Sequence, residues 1–198
     1  KCSFLFTLPI ALAYSDNLVS LPCKVRPIFD TPVYTETHDP HEEGRAALRA
    51  VLAARLDLNL LAPRQVDRLI VASGGNLRDL FEMLREAAIL ADIEDSPLIT
   101  EEFVTSAINQ QRQEQRRRLG PSSSDKVEIT YPEKAECLKR IYDNDPETKI
   151  ANSVVLSLLR SRNLLEFNGT GRFGVPPLVV DILISQRRLP KDSRGGLI

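Results

Sequence analysis

The chain has 198 residues, 42% hydrophobic and 27% charged, a composition typical of a globular protein with room for one large domain or two small ones. With 26 Lys and Arg against 27 Asp and Glu, no overall field draws it to nucleic acid or membrane, so any such binding must come from local patches. The three cysteines, Cys2, Cys23 and Cys137, form no C-x-x-C pair, which argues against a zinc ribbon or a disulfide framework and fits reduced thiols in a cytoplasmic protein.

In chain order, Cys2 to Thr7 reads as a short buried strand ended by Pro9, and no apolar run is long enough to span a membrane. Lys1 to Ala13 also imitates a signal peptide, which leaves a secreted protein as an alternative. Residues 14 to 42, rich in proline, suggest an irregular connection with one extended segment near Val25 to Phe29. The spacing then predicts a helix over Glu43 to Leu61 and a shorter one from Pro63 to Ala72. Asn76 is a good cap for a third helix through Leu80, Phe81 and Leu84, and Thr100 for a fourth through Val104 and Ile108.

Gly120 to Asp125 reads as a linker. Beyond it come a possible strand at Val127 to Thr130, a helix opened by Tyr131-Pro132-Glu133, and a second helix over Ile150 to Ser161. Leu164 to Phe167 and Arg172 to Val175 flank Asn168-Gly169, a strong hairpin signal, and Leu178 to Ser185 closes the unit.

The chemistry concentrates in Ser73-Gly74-Gly75-Asn76-Leu77-Arg78. A helix N-terminus carries unpaired N–H groups and partial positive charge, and an arginine in its first turn adds a planar donor fork for phosphate oxygens. The plain alternative pairs Arg78 with Glu82 one turn on. His38 and His41 lie in an acidic loop whose proline spaces them poorly for zinc, so a surface loop is favoured. Arg112, Arg116, Arg117 and Arg118, with Arg187, Arg188, Lys191 and Arg194 in the tail, are either solvated charge or phosphate contacts.

A helical lid with an arginine after a glycine break, joined to helices and a hairpin, resembles the C-terminal half of AAA+ ATPases such as the archaeal-type replication initiators. It is also similar to bacterial AAA-type ATPases through Leu164-Leu165-Glu166-Phe167-Asn168-Gly169, then Phe173, Val175 and Pro176. The resemblance implies a mainly α fold. Residues 1–42 would be a remnant strand of an α/β ATPase core and a connection, 43–119 a helical lid bundle, 120–126 a linker, 127–186 a winged helix with a β-hairpin wing, and 187–198 a basic tail. It implies a sensor 2 role for Arg78, a sensor 1 role for Thr7, and nucleotide contacts at Gly74, Gly75, Asn76 and Arg78. Lys149, Arg160, Arg162 and Arg172 would contact DNA from the winged helix. No G-x-x-x-x-G-K-[ST] occurs, so the expectation is a piece of a larger ATPase that does not hydrolyse ATP alone, whose parent takes ATP and magnesium. Its expected partners are the missing core domain, DNA or protein through the winged helix, and a second copy of itself, with no membrane. A free-standing winged-helix DNA-binding or protein-interaction regulator is the alternative.

Overall fold

The computed structural model describes residues 6–14, 26, 28–122, 125, 128–167, 172–193 and 195–196, with Lys149 described by its backbone alone. Four helices come first: α1 (Glu42–Ala53), α2 (Gln65–Ala72), α3 (Leu77–Ile93) and α4 (Glu101–Arg118). They bury one face each, and Leu48, Leu52, Leu69, Ile70, Leu80, Met83, Val104 and Ile108 share a continuous core. α1 stops well short of Leu61. Asp57 accepts from the Asn59 N–H at 3.0 Å and holds Leu58–Leu60 in a 3₁₀ turn, a local alternative to the helix. Thr100 occupies the N-cap position of α4, but its side chain makes no cap hydrogen bond.

The second group comprises α5 (Tyr131–Tyr142), α6 (Ser153–Arg160), β1 (Leu165–Phe167), β2 (Arg172–Gly174) and α7 (Pro177–Ser185). β1 and β2 pair antiparallel with Glu166 opposite Phe173, so the molecule is mainly helical with a small hairpin, consistent with a bundle and a winged-helix-like unit. The turn residues Asn168 and Gly169 lie outside the described residues. At Gly174 a Cβ would sit 2.4 Å from the Phe167 ring, so glycine is required for the ring to cover the strand.

Three expectations need correction. Phe6 is 77% exposed and Thr7 is exposed outside any strand, because no strand among the described residues pairs with this stretch; residues 1–5, including Cys2, lie outside the description. The extended segment expected near Val25 to Phe29 is only partly described, with no regular secondary structure at residues 26, 28 and 29. Val25 and Pro27 lie outside the described residues, and Ile28 is 92% exposed. At Glu128 to Thr130 there is no strand either. The Glu133 carboxylate accepts from the Thr130 N–H and hydroxyl, both at 2.7 Å, and commits that stretch to starting α5; Val127 lies outside the description. Lastly, α6 begins at Ser153 rather than Ile150, since Asn152 Oδ1 caps it by accepting from Val155 N at 2.9 Å.

α7 joins the two halves. Leu178 belongs to the bundle core, whereas Val179, Val180, Ile182 and Leu183 belong to the core built on α5 and α6. A helix that is apolar all round must be covered on all sides, and this one is wedged between both groups. An Arg112–Asp181 ion pair at 3.0 Å fastens α7 to α4. The stretch after α4 is anchored too: the fully buried Lys134 donates to Gly120 O at 2.7 Å and faces Asp125 at 3.7 Å, while Ser157 Oγ donates to Asp125 at 2.7 Å. Among the described residues no helix is long and apolar enough to cross a membrane.

Candidate functional site

The α2–α3 junction is built from a serine and two glycines. Ser73 Oγ donates to Ile70 O at 2.7 Å and accepts from Gly75 N at 3.1 Å. Gly74 and Gly75 both have positive φ, 63° and 94°. A Cβ on Gly75 would lie 1.6 Å from Thr31 O, so the backbone of the preceding segment closes directly onto this glycine.

That packing engages the backbone donors of the expected phosphate cradle. Gly74 N donates to Val71 O, Gly75 N to Ser73 Oγ and Asn76 N to Ser73 O, at 3.0 to 3.1 Å. Asn76 Oδ1 accepts from Asp79 N at 3.1 Å as the helix cap, and its amide donates to Asp30 at 2.9 Å. The backbone donors of Gly74, Gly75 and Asn76 are therefore spent within the chain. Arg78 differs. It is exposed in the first turn of α3 and forms no ion pair with Glu82 or any other described residue. Thr7 has no comparable setting, being exposed and irregular.

Behind Arg78 lies a buried charged network that periodicity did not reveal. Asp79 is 3% exposed and pairs with Arg162 at 3.0 Å, and burial holds its carboxyl above the usual range despite Arg162 and Arg118 nearby. Burial also raises Asp30, although Asn76 hydrogen-bonds it. Glu166, raised by burial as well, accepts from the Tyr14 hydroxyl through one oxygen, while its other oxygen has no hydrogen-bond partner among the described residues. A carboxylate at Asp79, four residues before the buried Met83, was the available signal for this network.

Three of the four cations expected to contact DNA, all described arginines, are engaged. Arg162 is taken by Asp79, Arg160 faces Asp125 at 3.8 Å, and Arg172 pairs with Glu36 at 3.0 Å while stacking over Phe167. The Lys149 side chain lies outside the described residues. Of the two histidines, His41 Nδ1 accepts from Gly44 N at 3.0 Å to cap α1, and His38 stacks on Tyr142 with ring centroids 4.1 Å apart.

This geometry meets one sequence likeness. The chain is similar to the "ORC1-type DNA replication protein 9" of Halobacterium salinarum, 30% identical over 139 aligned residues. The alignment covers 63% of this chain and 39% of that protein. The likeness is partial on both sides. No protein-family model and no solved structure matches the chain.

Proposed function

We propose that this chain is the lid and winged-helix region of an AAA+ type ATPase acting in the cytoplasm, where it couples nucleotide state to a DNA or protein contact. The observation that carries this reading is the position of Arg78. It projects from the opening turn of α3 without an ion partner among the described residues, while the next residue, Asp79, is tied to Arg162 beyond α6. The similarity to an ORC1-type replication protein, and the order of helical bundle then hairpin unit, support the same reading.

In this reading ATP with magnesium is held by a core domain outside this chain, and the phosphoanhydride supplies the chemistry. Arg78 fits such a group as a permanently charged donor fork at a helix N-terminus. Gly74, Gly75 and Asn76 offer it no free backbone donor, because their N–H groups are satisfied internally. The internal pairing of Arg160, Arg162 and Arg172 favours a protein contact over DNA readout for α6 and the hairpin.

The test uses the full-length protein. Arg78→Ala should lower ATP turnover by up to about 10³-fold, since an arginine acting on phosphoryl charge has effects of that order. Arg85→Ala should leave turnover near wild type, because Arg85 lies about 10 Å further along the axis at ~1.5 Å per residue. Equal turnover in the two variants would contradict the proposal.

A further inference from the structure

The cations that are not spent internally gather elsewhere. Arg116 and Arg117 occupy the last turn of α4, and Arg187 and Arg188 follow the end of α7; all four are exposed. None forms an ion pair with another described residue.

Three observations bring the two helix ends together. The Arg112–Asp181 pair joins α4 to α7 one turn before Arg116. Leu119 and Leu189, just past the two helix ends, are both buried in the same core. Tyr131, at the start of α5, donates its hydroxyl to Gln186, and its ionised form is favoured by Arg188 and by Arg116, although burial raises it overall. Both arginines therefore act electrostatically on one tyrosine, on elements pinned to one core.

The neighbouring acids neutralise only part of this surface. Glu114 is taken by Arg118 and Asp181 by Arg112, while exposed Glu133 keeps its charge, its carboxyl held below the usual range by hydrogen bonds from Thr130. Asp192 and Glu128 are exposed nearby in sequence, and Lys191 adds a further exposed cation. Cations at helix C-termini favour the dipole without any partner, but two such ends side by side concentrate charge beyond what one dipole attracts. The chain carries a formal net charge of only −1, so the concentration is local.

We propose that the adjoining C-terminal ends of α4 and α7, carrying Arg116, Arg117, Arg187 and Arg188, dock on the phosphodiester backbone of duplex DNA. The inference rests on the proposed DNA-linked function and moves the contact away from the recognition helix and wing. Phosphate contacts of this kind position the duplex and carry little base preference.

Fluorescence anisotropy of the purified chain with a labelled random-sequence duplex, across a salt series, tests it. Each neutralised phosphate contributes about 0.9 to the slope of log affinity against log salt. Replacing Arg116, Arg117, Arg187 and Arg188 with Gln should therefore flatten the slope by about 3 to 4 and weaken binding at least about tenfold in low salt. The smaller Arg187→Gln/Arg188→Gln variant should flatten it by about 2, while the charge-matched Arg64→Gln/Arg85→Gln variant should leave it unchanged. Circular dichroism melting confirms that each variant is folded. Wild-type binding with an unchanged slope in the Arg187/Arg188 variant would overturn this surface alone. No duplex binding by the wild-type chain, including the case of retention on phosphatidylserine vesicles instead, would overturn the surface and the DNA reading together.

Discussion

Arg162 Nη1 lies 3.0 Å from Asp79 Oδ1, joining residues 83 apart in sequence. Arg162 adopts a left-handed backbone (φ 57°) just after α6, and Asp79 sits in the first turn of α3 beside Arg78. A displacement of the α3 N-terminus therefore bears directly on the hairpin unit. Asp79 is almost fully buried, so it cannot exchange its arginine for water.

Removing the arginine should cost more than removing the acid's charge. Arg162→Ala leaves a buried carboxylate without its cation and should lower unfolding free energy by about 2–3 kcal/mol. Asp79→Asn retains a polar side chain and should cost about 1 kcal/mol. Urea denaturation of both variants checks the order, and a larger loss for Asp79→Asn would contradict it.

Acidity should stabilise the fold within a limited window. Asp30, Asp79 and Glu166 are all raised chiefly by burial, so the folded state binds protons more tightly than the unfolded chain. Their stabilising contribution is full below the ordinary carboxylate range and is lost as pH rises through the folded values. The melting temperature should accordingly rise as pH falls from neutral towards about 5, just above that range. Glu166→Gln should flatten the rise; an unchanged slope in that variant would remove Glu166 from the account.

The two glycines should not be equivalent. Gly75→Ala places a methyl 1.6 Å from the backbone oxygen of Thr31 at φ 94°, whereas Gly74→Ala meets side-chain atoms, Leu165 Cδ1 at 3.0 Å and Pro177 Cδ at 3.1 Å, at φ 63°. Gly75→Ala should cost about 3 kcal/mol or more, and Gly74→Ala about 1–2 kcal/mol. Denaturant midpoints for the two proteins measure the difference, and equal midpoints would show that Thr31 yields.

Local signals were the readable part of this sequence. Asn76 before an apolar run announced α3, and short apolar stretches about Asn168-Gly169 announced the paired strands β1 and β2. Long-range charge pairing was not readable. Nothing near Arg162, Arg160 or Arg172 names Asp79, Asp125 or Glu36 as a partner, because those pairs exist only once the halves meet. Nor does the Gly-Gly pair reveal whether its N–H groups face a ligand or the chain itself. Thr31 decides that, from a segment with little periodicity.

The central claim is that Arg78 reports nucleotide state to the remainder of this chain. The most direct measurement is the ratio of DNA affinities with ATP and with ADP in the full-length protein, for wild type, Arg78→Ala and Arg85→Ala. Wild type and Arg85→Ala should share a ratio well removed from one, and Arg78→Ala should bring it to about one, since a ligand shifts an equilibrium only through differential contacts. A ratio in Arg78→Ala equal to that of wild type would contradict the account.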